Sequence, residues 1–218
     1  YGEARNTAAP VRFSVSTQRY PFTEDAFLRM LQATEENRFV FATREAAMDA
    51  VIDDVYDHRA DIGVIFLSEL TEKIILRLLD SRGLEFHEIA AIPPCIYVRK
   101  GHPLLELDAV TEADLAGYPY VSFEHEPGVA ADFSEEYQIV SLKKPAKCIC
   151  VNNRSTMMNV LALSDAFTTG SGLLVESIST PSVVSVPLFE KSCIRIGWII
   201  PKNSKLTPQV EQFVDLLE

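Results

Sequence analysis

The sequence predicts an α/β fold of two doubly wound lobes joined by crossing strands, and three observations carry that prediction. Extended apolar segments alternate with amphipathic helical ones from Val11 to Gly83. One of them, Asp61 to Phe66, is close to continuously apolar, as strands covered on both faces of a parallel sheet are. Leu84 to Val98 is then a long extended run broken by Pro93-Pro94. Two prolines cannot both lie inside a central strand, so the chain leaves one sheet there and enters another.

The elements follow in order. Val11 to Ser16 is the first strand, ended by Thr17-Gln18-Arg19-Tyr20-Pro21. Thr23, with Glu24 and Asp25 behind it, is the expected cap of a helix carrying Phe27, Leu28, Met30 and Leu31 inward. Phe39 to Thr43 is a second strand. Met48, Val51, Ile52 and Val55 have the spacing of an amphipathic helix, and Asp61 to Phe66 is the third strand. Thr71 to Arg82 makes a helix on Ile74, Ile75, Leu78 and Leu79, with Gly83 as its stop. This alternation builds one parallel lobe. Past the prolines, Cys95 to Val98 is the strand that enters a second lobe. Thr111 to Leu115 is a short capped helix, Tyr120 to Phe123 a strand, Gly128 to Tyr137 a helix and Ala146 to Val151 a strand. Ser155 to Phe167 is helical, Val183 to Leu188 extended, and Cys193 to Ile200 a strand of return length. Thr207 to Leu217 closes the chain with Val210, Phe213, Val214 and Leu217 on one helical face.

Composition narrows the function. A net charge of −11 and no basic run longer than Lys143-Lys144 with Lys147 argue against this segment gripping nucleic acid by itself. No apolar run reaches the roughly 18 residues of a membrane span, so a soluble chain with no membrane partner is expected. Four cysteines in 218 residues are too few for a disulfide scaffold, which fits a reducing, cytoplasmic compartment. Cys148 and Cys150 share one face of their strand and are expected as buried or half-buried thiols, with no metal and no cofactor implied. The chain opens Tyr1-Gly2-Glu3 rather than on Met, as expected of a processed protein or a piece of a longer one. There is no G-x-S-x-G elbow, P-loop, G-x-G-x-x-G or H-E-x-x-H, and the four histidines are scattered, so no enzyme is expected. His125, between Glu124 and Glu126, reads as a solvated loop imidazole.

In parallel α/β sheets ligands bind beyond the carboxyl ends of the strands, near helix N-termini. Four loops qualify, and they nominate Ser16, Thr17 and Arg19, then Phe66, then Ser122 and Phe123, then Arg154, Ser155 and Thr156. Each polar group there is equally a local cap, and each phenylalanine is equally lobe core. Their recurrence at equivalent places in two lobes favours a shared site. Arg19 or Arg154 would hold a carboxylate, since guanidinium matches it in a bidentate way. An anionic or amphipathic organic acid is therefore expected, although the acids near Glu124 would suit an amine-bearing ligand.

Several short runs resemble the effector-binding domain of LysR-type transcriptional regulators. Val11-Arg12-Phe13-Ser14-Val15-Ser16 is similar to that family's first strand, and His58-Arg59-Ala60-Asp61-Ile62-Gly63-Val64-Ile65 resembles its step from helix into an Asp-aliphatic-Gly-aliphatic strand. Arg99-Lys100-Gly101-His102-Pro103-Leu104 is similar to its His-Pro-Leu turn, and Asp114-Leu115-Ala116-Gly117-Tyr118-Pro119-Tyr120-Val121 to its short helix before the next strand. Together these runs extend the resemblance over residues 11 to 218. It implies a type 2 periplasmic-binding-protein fold, with 11–92 plus 190–218 as one lobe, 93–189 as the other, and 1–10 as the end of a linker. It also implies a small-molecule effector between the lobes, self-association as dimer or tetramer, and contact with promoter DNA through an N-terminal domain that the sequence does not include. The chain departs from the family at Thr168-Thr169-Gly170-Ser171-Gly172, where a glycine pair and a Leu-Pro step are usual. Thr168 and Thr169 nonetheless belong to the expected cleft. Arg19-Tyr20-Pro21-Phe22 is bulkier than a small serine turn and is expected to narrow the pocket. An extracytoplasmic solute receptor shares the fold and is the alternative, and an interaction module with an empty cleft is a third.

Overall fold

A computed structural model describes residues 9–108, 110–124, 146–174, 180–188 and 193–218. The predicted helix at 128–137, and His125, lie outside the described residues. The first sheet is five-stranded, in the order β2 (Phe39–Glu45), β1 (Val11–Thr17), β3 (Ile62–Ser68), β10 (Ile194–Pro201), β4 (Leu84–Ile92). β1 pairs in parallel with β2 and β3, whereas β10 runs antiparallel to both β3 and β4. The sheet is therefore mixed, because its fourth member is the strand returning from the other lobe. Every residue of β3 is buried, in keeping with its apolar run, while the edge strand β2 is mostly exposed.

The motif residues have structural reasons. Asp61 accepts hydrogen bonds from the backbone N–H (2.7 Å) and hydroxyl (2.9 Å) of Ser14, which locks the entry of β3 against β1. A Cβ on Gly63 would lie 2.8 Å from Ile199, so only glycine lets β10 and the helix above β3 close on it. His102 is buried, accepts from Leu104 N–H (3.1 Å) through Nδ1, and sets its Nε2 3.2 Å from the Asp165 carbonyl. The His-Pro-Leu turn is thus a structural clamp.

Three helices serve the first sheet early in the chain: α1 (Pro21–Ala33), α2 (Met48–Tyr56) and α3 (Glu72–Ser81). Thr23 is not the cap of α1. Tyr20 is, with Pro21 in the first turn, where a missing N–H costs nothing. Thr23 instead turns its hydroxyl back to the Tyr20 carbonyl at 2.8 Å. Leu28 and Ile74, expected inward, are exposed; Ala26 is buried in α1, and Ile75 is buried in α3 as expected.

After Pro93-Pro94 the chain enters a second sheet, β8 (Thr168–Gly170), β5 (Cys95–Arg99) and β9 (Val183–Pro187), as the broken run predicts. Beside it β6 (Tyr120–Phe123) pairs in parallel with β7 (Cys148–Val151). α4 (Glu112–Leu115) carries the capping box of Thr111 and Asp114. α5 (Arg154–Leu163) stops before the predicted Phe167, because Ser164 donates to the Val160 carbonyl (2.7 Å) and accepts from Ala166 N–H (3.2 Å), turning the chain into β8. α6 (Pro208–Leu217) returns to the first lobe, where Phe213 meets Phe13 at a ring-centroid distance of 5.3 Å. One apolar core runs from the first sheet through Ile96 and Val98 as far as Tyr120 and Phe167. A smaller one forms where Val121, Phe123 and Val151 meet Met157 and Leu161 of α5. The expectation of buried or half-buried thiols fails for Cys148 and Cys150, which are exposed; Cys193 is exposed too, and Cys95 is buried. Short edge strands such as β7 leave one face uncovered, and the two cysteines stand on it.

Candidate functional site

A cavity of about 70 Å³ lies between the lobes, walled by Arg19, Tyr20 and Pro21 on one side and by Tyr97, Phe123, Met157, Thr168 and Thr169 on the other. It adjoins a wider, more polar cleft of about 380 Å³ lined by Glu24 and Glu45 of the first lobe and by Asn153, Ser155 and Asn159 of the second. Arg154 and Met158 belong to both.

Two arginines cross between the lobes in opposite directions. From the first lobe, Arg19 lays its guanidinium over the Phe123 ring, 4.0 Å from the centroid. From the second, Arg154 pairs with Glu24 and, at 3.2 Å, with Glu45. Burial raises the Glu45 pKa and neighbouring Glu24 adds to this; Arg154 and Arg19 pull it down but do not cancel the rise. Arg154 therefore has its charge met by two carboxylates, while Arg19 is held by an aromatic face. A guanidinium stacked on a ring keeps its edge N–H groups available for an anion.

The second lobe also supplies an unsatisfied group. Thr168 is buried in the cavity wall and its hydroxyl has no hydrogen-bond partner. A buried hydroxyl left unpaired costs on the order of 1–3 kcal/mol. Thr169, next along β8, shares a 2.9 Å hydrogen bond with the Tyr120 hydroxyl. Below them Gly170 is obligatory, because a Cβ there would lie 2.2 Å from the Tyr97 ring. Tyr97 in turn accepts from Gly172 N–H at 2.8 Å. This packing of β8 on β5 fixes the loop in which the sequence departs from the family pattern.

The sequence-nominated residues divide. Arg19, Phe123, Arg154, Thr168 and Thr169 meet at the cavity, and Ser155 joins the adjoining cleft. Ser16 does not join them; its hydroxyl donates to buried Asp54 at 2.8 Å, within a network completed by Arg44 and Arg59. Thr17 turns its hydroxyl to the Gln18 carbonyl (2.8 Å) and to Thr23 (3.2 Å). Phe66 is wholly enclosed in the first core, its N–H donating to Gln18 Oε1 at 2.9 Å. Ser122 is buried beside Cys148 and Cys150, 3.6 and 3.9 Å from their sulfurs. Thr156 is exposed, and its N–H is taken by the capping side chain of Asn153 at 2.8 Å. Sequence reasoning expected the bulk of Tyr20 beside the pocket but missed Tyr97, Met157 and Met158. The signal for the methionines was present, since they fall in the first turn of the helix whose start was nominated.

The family model for the LysR substrate binding domain matches residues 37–218. No curated protein matches the sequence. Among solved structures, the chain is similar to the effector-binding domain of QuiR in complex with shikimate, at 15% identity and a TM-score of 0.62 over 96% of each chain. It is similar to the BenM effector-binding domain with its effector benzoate, at 14% identity and a TM-score of 0.61 over 96% of this chain and 91% of that one. HinK, a LysR family transcriptional regulator from Pseudomonas aeruginosa, aligns at 13% identity and a TM-score of 0.61, over 95% of this chain and 69% of that one. With the interlobe cavity, the crossing strands and the family match in agreement, the chain belongs to the LysR substrate-binding domain family: it is an effector-binding domain of a LysR-type transcriptional regulator, on a type 2 periplasmic-binding-protein fold.

Proposed function

We propose that the domain senses a small organic acid held between Arg19 and Thr168. The observation that carries this reading is the pairing, across one apolar cavity, of a buried, unpartnered hydroxyl with a guanidinium that stacks on a ring and makes no direct salt bridge among the described residues. Such a cavity gains little from an amine, because Glu24 and Glu45 are already engaged by Arg154. Shikimate in QuiR and benzoate in BenM are both carboxylates, which supports the same ligand class here. Phe123 gives the body of the acid an aromatic face once the guanidinium moves to its carboxylate, and Tyr97 and Met157 close the far wall.

At about 70 Å³ the cavity is smaller than the apolar cavity of about 150 Å³ known to take up a benzene ring. A ring-bearing acid needs more, so binding lifts Arg19 off Phe123 or opens the adjoining cleft. Either movement changes the contacts between the lobes, which we take to be 11–92 with 190–218, and 93–189. That change biases subunit contacts in a dimer or tetramer, and through the linker at 1–10 the N-terminal DNA-binding domain of the whole regulator in the cytoplasm. No catalytic step has a place in this scheme. The described helices include none long and apolar enough to cross a membrane.

The test is thermal unfolding of the domain with a panel of small carboxylates and matched neutral amides. A carboxylate that raises the midpoint in the parent chain but fails with Arg19→Ala and Thr168→Val sustains the reading. Amines that stabilise while carboxylates do not would overturn it.

A further inference from the structure

The thiols on β7 stand apart from the effector cavity and have no part in it. Strand alternation puts Ser122, Cys148 and Cys150 on one face of the β6–β7 pair. Phe123, which lines the cavity, packs on the other with Val121 and Val151. Cys148 and Cys150 are exposed, and their sulfurs are 4.0 Å apart. The Ser122 hydroxyl sits beneath both, at 3.6 and 3.9 Å.

That spacing is wrong for a disulfide and right for a bridging atom. Residues two apart on a strand have Cβ atoms about 6.5 Å apart at about 3.3 Å of rise per residue. A disulfide wants about 3.5–4.5 Å between Cβ atoms, so closing one would break the pairing of β7 with β6. With metal–sulfur bonds of about 2.3 Å, two thiolates lie about 3.8 Å apart at a tetrahedral angle and about 4.6 Å apart when collinear. The observed 4.0 Å falls inside this range without any movement of the strand. Among the described residues no cluster of three or more His, Cys, Asp or Glu could hold a metal. The described residues therefore build no four-coordinate zinc site, whereas a soft cation content with two sulfurs is accommodated.

We infer that Cys148 and Cys150 form a chelating site for a soft, low-coordinate cation of the copper(I) class. Each thiol releases its proton to solvent as its sulfur coordinates, giving a bis-thiolate complex and two protons per metal with no change of oxidation state. The Ser122 hydroxyl, with its single O–H, then donates to one of the two thiolates. Burial pushes the Cys150 thiol up, and adjacent Cys148 also raises it against the lowering hydrogen bond of Ser122.

The experiment uses the parent chain under anaerobic conditions, titrated with copper(I) against bathocuproine disulfonate. One copper per chain is expected, with affinity falling at least a hundredfold in Cys148→Ser and in Cys150→Ser and unchanged in Cys193→Ser. Binding that survives in both β7 variants, or that is lost with Cys193→Ser, overturns the site. Should a β7 variant fold poorly, alkylation of the parent chain decides. Copper(I) is expected to protect Cys148 and Cys150 while Cys193 stays reactive, and equal labelling of the three with and without copper refutes the chelate.

Discussion

The strand ends of the two lobes look alike in sequence and do opposite things in the fold. In the first lobe Ser16 and Thr17 end β1 and Gln18 follows it, all three buried, and Ser16 and Thr17 have their hydroxyls taken by the lobe itself, by Asp54, by the Gln18 carbonyl and by Thr23. In the second lobe Thr168 opens β8 with its hydroxyl buried and unpaired. A hydroxyl satisfied by its own lobe is scaffold, and one left unsatisfied facing a cavity is an offer to a ligand. The first lobe accordingly contributes a charge, Arg19, while the second contributes the polar wall and most of the apolar lining. Apart from Arg19, substitutions at these first-lobe positions should register in stability, and those in the second-lobe cavity wall in affinity.

The largest effect belongs to Phe66. It is wholly buried in the first core, with the Tyr20 ring edge-on at 6.4 Å. Phe66→Ala is expected to cost about 3–5 kcal/mol in urea unfolding. Ligand affinity measured under folding conditions should be unchanged. Lost affinity with full stability would place Phe66 in the site and erase the contrast between the lobes.

Asp54 comes next. Its carboxylate accepts from Ser16 Oγ at 2.8 Å and from Arg44 and Arg59 at 2.7 and 2.8 Å. Burial pushes its pKa up, but the hydrogen bonds from Arg59 and Ser16 and the charge of Arg44 win, and the net shift is downward. A depressed carboxyl contributes stability that is present above its unfolded pKa, about 3.9, and is lost as pH falls through the folded value. Asp54→Ala strands the Ser16 hydroxyl and should cost about 1–3 kcal/mol at neutral pH. It should also flatten the loss of stability below about pH 4. An undiminished acid slope in the variant would assign that slope to other carboxyls.

Most of the scaffold was legible in the sequence because it is written in hydrophobic period. The apolar run became β3, the proline pair became the crossing, and the spacing at 48–55 became α2. The antiparallel β10 was not legible, since period says nothing of strand direction. For the cleft, the loops were found but not the partition within them. Whether Ser16 faces a ligand depends on Asp54, which lies 38 residues away and meets it only through the fold. Tyr97 was missed for a related reason. Its strand reads as core, and it reaches the cavity only because Gly170 lets the ring pass.

Thr168→Val sharpens the contrast from the second lobe. Valine keeps the shape and removes the unpaired hydroxyl, so stability should hold or rise by about 1 kcal/mol. Carboxylate affinity should fall about tenfold, the loss of one hydrogen bond worth roughly 1.4 kcal/mol. Stability and affinity moving in opposite directions is the signature of a group kept for its ligand. A fall in both would make Thr168 scaffold like Ser16, through a contact formed in solution.

The smallest effect is expected at Arg154, where the lobes meet by charge. Its pairs with Glu24 and Glu45 are partly exposed, and such pairs contribute roughly 0–1 kcal/mol. Arg154→Gln should therefore lower stability by less than about 1 kcal/mol, and added salt should shrink the difference further. Its effect on binding has a different origin. Without the pairs, the partly desolvated Glu45 loses the cation that opposes its raised pKa and lies nearer to protonation, and the lobes lose one tie across the cleft. If lobe separation limits entry to a cavity of about 70 Å³, carboxylate association should quicken in Arg154→Gln while dissociation quickens by as much or more. Stopped-flow rates distinguish this from a direct contact. A variant slower to bind, with a loss as large as that of Arg19→Ala, would make Arg154 the carboxylate ligand and leave Arg19 as the tie.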